Sequence, residues 1–191
     1  MKKFMIAAAA AISLSAFTYV ATSWKSDLGH SSIQFTVNHN GLSEVSGYIK
    51  DFAVTITGEA ADFSDATINF NAKAASIDTR IAARDNHLKS ADFFEVEKYP
   101  EITFTSTSLN RLSGNNFIVR GSLTMHGVTK PVQMYLKHIN TVTNPQSNKQ
   151  VAGFQLTGLL RRSDFGIGPK FPAQAISDEV YIKADGEFSP Q

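Results

Sequence analysis

The alternation of apolar and polar residues along most of this 191-residue chain predicts an all-β fold, an antiparallel barrel or sandwich of about eight strands with one short helix between strands. Three observations carry the prediction. Apolar side chains recur with a period of two, as strands with one buried and one wet face require. Turn-forming residues stand between several of these runs, at spacings that suit antiparallel neighbours. A single segment abandons the period for a helical one.

In chain order, Ile33, Phe35 and Val37 alternate with Gln34 and Thr36, and Asn40-Gly41 then offers a tight reversal at which positive φ costs little. Val45 to Lys50 leads into Phe52, Val54 and Ile56; Thr57-Gly58 reads as the next turn, followed by Ile68, Phe70 and Ala72. From Asp78 to Phe94 the spacing of Ile81, Leu88 and Ala91 is helical, which predicts a short helix with Asp78 or Thr79 as its N-cap. The two-residue period resumes at Ile102 and Phe104. After Ser113-Gly114-Asn115-Asn116, the residues Phe117, Val119, Leu123 and Met125 share one face, and His126-Gly127 separates them from Val132, Met134 and Leu136. Asn144 to Lys149, with Pro145, is expected to form a hairpin tip ahead of Phe154 and Leu156. Gly166 to Pro172 is too rich in glycine and proline for anything but a loop, and Val180, Ile182, Ala184 and Phe188 make the last strand.

The first residues differ from the rest. Lys2 and Lys3 precede an uncharged, Ala-rich run from Phe4 to Phe17, too short for the roughly 20 residues of a membrane-spanning helix. A cleavable export signal over residues 1–23 is expected, with Trp24 first in a mature domain of residues 24–191; Ala21 is an alternative last residue of the leader. Removing Lys2 and Lys3 takes 18 basic residues to 16 against 17 acidic ones, a net charge of −1. With that balance, and no basic run beyond Arg161-Arg162, the chain lacks the electrostatic footprint of a nucleic-acid binder. Cysteine is absent, which excludes disulfides, thiolate metal sites and Cys nucleophiles.

The five histidines show no HExxH or related metal-ligating spacing, so no metal site is expected. His126, in a turn, and His138, near a strand end, are expected to be exposed. His39 and His87 are better placed to meet a polar group of a ligand, although fixed hydrogen bonds at the barrel rim would equally occupy them. Arg84, Asp85 and His87 bring cation, acid and base together, but on a helix only 84 and 87 share a face. No GxSxG elbow supplies a nucleophile, and no catalytic residue is assigned. The inward-facing residues leave the interior open to two readings, a core filled by side chains or a cavity. Small residues at Ala72, Gly121 and Ala184 would leave space.

Four ordered blocks of the chain resemble the YceI-like polyisoprenoid-binding proteins. They are His30 to Phe52 (HSSIQFTVNHNGLSEVSGYIKDF), Ser76 to Ser106 with its RDxHL and SADFF groups and Tyr99-Pro100, Gly121 to Val132 (GSLTMHGVTKPV), and Leu160 to Gly168 (LRRSDFGIG). The resemblance spans nearly all of the mature chain. It implies a lipocalin-like periplasmic β-barrel that holds an isoprenoid or similar amphiphilic lipid, a quinone among the candidates, with no other cofactor. It also implies transport of that lipid with transient contact to envelope membranes; a homodimer is compatible with it. The residues expected to meet the ligand are Phe35, Val37, Ile68, Phe70, Phe104 and Leu123 on the walls, His39, Arg84 and His87 toward the head group, and Phe165 as a plug at the mouth. Two alternatives stand beside the carrier: a small isomerase or hydrolase acting inside the barrel, and a structural or stress-related envelope protein whose barrel is filled. The Arg161-Arg162 pair has no assigned role.

Overall fold

The computed structural model describes residues 21–191, and most of the expected leader lies outside them. Eleven strands form one antiparallel sheet: β1 (Thr22–Ser26), β2 (Ser32–His39), β3 (Ser43–Ile49), β4 (Phe52–Gly58), β5 (Thr67–Lys73), β6 (Ile77–Asp78), β7 (Glu101–Ser113), β8 (Asn116–Met125), β9 (Val128–Thr143), β10 (Gln150–Arg161) and β11 (Glu179–Pro190). Among the described residues the one α-helix, α1, spans Ala82–Lys89. Eight strands close a ring in the order β1-β4-β5-β7-β8-β9-β10-β11, with β11 returning to β1. Closure leaves this ring without an exposed sheet edge.

The remaining strands continue the staves of the barrel. On β11, Phe188 to Pro190 pair with β1 while Tyr181 to Asp185 pair with β2, so β1 and β2 lie end to end on one neighbour. Strand β3 pairs with β2 as β4 pairs with β1, and β6 pairs with β3 as β5 pairs with β4. At this end β6 does not pair with β7. The connection between them, α1 and residues 90–100, spans the interval instead.

Turn chemistry matches the predicted reversals at three places. Asn40 and Gly41 (φ 54° and 67°), Gly114 (51°), and His126 and Gly127 (51° and 72°) occupy the left-handed region that a twisted hairpin needs. Thr57 and Gly58 instead belong to β4, paired with Ser23 and Thr22 of β1. The reversal falls later, in residues 59–66, where both oxygens of Asp65 take the backbone N–H groups of Glu59 and Ala60. Strand β1 had no signal in the alternation, since only Trp24 of its residues is buried.

The helix is shorter than its pattern suggested, and its N-cap, in place of Asp78 or Thr79, is Ile81, which provides no side-chain cap. Thr79 does not cap it. Its N–H and hydroxyl both donate to Asp85 in the helix, at 2.8 and 2.5 Å, so the carboxylate reaches back to tie the helix to the segment after β6.

Candidate functional site

The two ends of the barrel are filled differently. At one end the interior is solid. Phe117, Val119 and Ala152 are buried to 1% exposure or less, and the ring of Phe63 lies 5.2 Å from Trp24, 5.0 Å from His138 and 4.9 Å from Phe154, edge-on to each. His138 is therefore buried, not exposed as its position in the sequence suggested. Burial pushes its pKa down, and Nε2 lies 2.9 Å from the Thr141 hydroxyl.

Toward the other end the same strands enclose a cavity of about 460 Å³. Its walls include Phe35, Val37, Ile68, Phe70, Phe104 and Leu123, whose inward face the alternation predicts, together with Ile56, Leu136, Phe154, Leu156 and Ile182. Two glycines explain how a wall so rich in phenylalanine leaves a lumen. A Cβ on Gly47 would stand 2.4 Å from the Phe35 ring, and one on Gly121 2.4 Å from the Phe104 ring. Each ring thus folds flat over a glycine of the neighbouring strand and stays against the wall. The space at Gly121 is taken by Phe104, whereas Ala184 does line the cavity and Ala72 does not.

At the mouth His39, Thr79, Arg84, His87 and Arg162 line the cavity, and Ser26, Ser31, Ser32 and Asp185 are its other polar lining residues. Arg84 donates from Nε to the Thr79 hydroxyl (2.7 Å) and from Nη2 to the Thr79 carbonyl (2.8 Å). Among the described residues, no carboxylate pairs with it. His87 lies 3.2 Å from one oxygen of Asp92, and Lys170 donates to the other at 2.7 Å. Those two contacts, Lys170 first, hold the Asp92 carboxyl below its ordinary pKa. His87 also meets the edges of Phe93 and Phe171, which stack with centroids 4.8 Å apart and form an aromatic rim. His39 is exposed and forms an isolated bridge with Ile176, which joins the β2–β3 hairpin to the loop before β11.

Arg162 supplies what the Arg161-Arg162 pair lacked. Arg161 is exposed, while Arg162 is buried and its guanidinium donates to the carbonyls of Ser177, Ile167, Gly168, Phe171 and Ile176 at 2.6–3.1 Å. Its charge thus organises the whole loop from Ile167 to Ser177 around one side chain. The planar guanidinium, with five N–H groups, suits five carbonyl acceptors as an ammonium would not.

Phe165 departs from expectation. It is buried to 1% exposure but does not line the cavity. Pairing of β9 with β10 stops at Tyr135 and Thr157, and Phe165 borders the groove left where Lys130 to Gln133 part from Leu159 to Arg161. Its carbonyl accepts a hydrogen bond from His126 Nδ1 at 3.0 Å, so His126 is partly buried and holds this turn in place. Among the described residues no group of three or more His, Asp or Glu side chains is arranged to hold a metal ion.

Residues 24–188 match the model of the YceI-like domain family. Protein YceI of Escherichia coli O17:K52:H18 is 35% identical over 189 residues, 97% of this chain and 98% of that protein. The crystal structure of BcnA from Burkholderia cenocepacia superposes with a TM-score of 0.76 at 21% identity, over 85% of this chain and 98% of that one. A polyisoprenoid-binding domain from Saccharophagus degradans, implicated in plant cell wall breakdown, superposes with a TM-score of 0.62 at 14% identity, over 88% and 98% of the two chains.

Proposed function

The chain belongs to the YceI-like family, and from that premise we propose that it is an exported carrier that holds one long-chain isoprenoid or similar amphiphile, tail inward, in the barrel. The observation that carries this reading is the composition of the cavity wall: mostly apolar side chains, with Ser26, Ser31, Ser32 and Asp185 among them, and the cationic and imidazole groups His39, Arg84, His87 and Arg162 at the mouth. A tail in such a cavity is stabilised by desolvation, roughly 0.8 kcal/mol per buried methylene, and about a dozen carbons would supply the roughly 8 kcal/mol of micromolar binding before ordering costs. The head group meets Arg84, His87 and His39. A quinone is one molecule that fits this description. The charged start and apolar run of residues 2–17 support export to the periplasm, where the carrier would exchange its cargo with envelope membranes.

An enzymatic role would use the His87-Asp92 pair, the histidine and carboxylate that meet at the mouth. That pair has no evident nucleophile: the hydroxyl of nearby Ser90 is given to the His87 carbonyl, and Asp92 is neutralised by Lys170. Binding without chemistry fits the groups better. Native mass spectrometry of protein purified from its own host tests the carrier reading. A bound amphiphile that long prenols or quinones displace is the expected result; a bare chain that takes up neither would overturn it.

A further inference from the structure

Phe63 is a large side chain that enters the solid end of the barrel from a loop. Residues 59–66 join β4 to β5 across the solid end, and there Phe63 adopts φ 59°, a left-handed conformation that is costly for a non-glycine residue. Its surroundings fix it in that state. Asp65 accepts two N–H groups of the loop, Phe63 N–H donates to the Ala60 carbonyl at 2.9 Å, and Arg111 holds Asp62 at 2.6 Å. The ring it delivers is 3% exposed and packs edge-on against Phe154, and Phe154 itself lines the cavity. Trp24 and His138, its other ring neighbours, do not line the cavity.

From this layering we infer that Phe63 sets the depth of the cavity and hence the length of tail the protein accepts. The inference rests on the carrier reading above and adds a specificity residue to it. Phe154 is the floor, and Phe63 is the support that keeps the floor raised. Without the Phe63 ring, Phe154 can settle into the vacated space and the cavity lengthens toward Trp24. A benzyl side chain holds slightly more carbon than one isoprene unit, so close packing allows about one extra unit. A residue held in strained backbone by a hydrogen-bonded loop is a suitable device for this. Its side chain can be exchanged without altering a barrel strand.

The test is competition among all-trans prenols of increasing length, mixed in equal amounts with the delipidated protein and read by native mass spectrometry. Phe63→Gly removes the ring and relieves the backbone conformation, and Phe63→Leu is the milder variant should the first fail to fold. Phe165→Leu is the control, buried equally but away from the cavity. For Phe63→Gly the preferred length is expected to move up by about one isoprene unit, with at least a tenfold rise in the ratio of the longer to the previously preferred prenol. Phe63→Leu should give a smaller shift in the same direction and Phe165→Leu none. Unchanged preference in both Phe63 variants, with the wild type binding normally, overturns the role of Phe63 alone. A wild type that binds no prenol of any length overturns the carrier reading, and the role of Phe63 with it.

Discussion

Along β8, Phe117 and Val119 are sealed among packed side chains, while Leu123 and Met125, further along the same face, border the cavity. The neighbouring strands divide in the same way: His138 of β9 lies in the solid end, Met134 and Leu136 beside the lumen. The alternation that buries one face of each strand is thus constant along the barrel, and what fills the interior is not. The solid end is closed by a loop residue, Phe63, and by the only tryptophan. The open end keeps its lumen because Phe35 and Phe104 lie flat over Gly47 and Gly121, and its rim is shaped by polar contacts to Arg162 and Thr79. One end owes its order to apolar packing, the other to hydrogen bonds around buried or half-buried charge.

The largest test of this contrast is at the mouth. Arg162→Met would leave five carbonyls without their donor and should cost about 3–5 kcal/mol, with amide exchange accelerated first in residues 167–177. Loss confined to the solid end would break the contrast. Next comes a matched pair of truncations followed by denaturant unfolding. Phe117→Ala, in packed surroundings, should cost about 3–4 kcal/mol, and Phe70→Ala, whose ring already borders space, about half as much. Equal costs would mean that the lumen is not a void in the folded protein.

A smaller effect is expected from pH. The folded state lowers the pKa of His138 by burying it, so it favours the neutral ring. The contribution is complete above the unfolded value of about 6.5 and is lost as pH falls below it toward the lowered folded value. Acidification from pH 7 to 5.5 should therefore destabilise the wild type more than His138→Gln, as read from thermal unfolding in both buffers. The smallest change belongs to the rim: Asp92→Asn removes exposed contacts to Lys170 and His87 and should leave thermal unfolding nearly unchanged.

Strands with alternating residues, such as Ile33 to Val37 and Phe117 to Met125, were legible in the sequence because burial on one face imposes a period. The same period gave the inward face of Phe35, Phe70 and Phe104, but that these residues line a cavity, with His39, Arg84 and His87 toward its polar end, was implied only by the family resemblance. Trp24 and Phe63 were not found: β1 is short and mostly exposed, and a loop residue that plugs a barrel belongs to no repeating pattern. Arg162 was missed for a related reason, since its five partners are carbonyls of other residues and carbonyls have no sequence signature. Phe165 was assigned to the wrong opening, because a gap between β9 and β10 depends on where pairing stops and not on residue type.

The central claim is that the tail of an amphiphile occupies the open half of the barrel and stops at Phe154. A crystal structure with a long prenol brominated at its tail end would locate that end by anomalous scattering. The bromine is expected inside the lumen, close to Ile68 and Phe154 and above Phe63. Bromine on the outer wall, for example beside the exposed Tyr135, Leu159 and Tyr181 with the lumen unchanged, would contradict it.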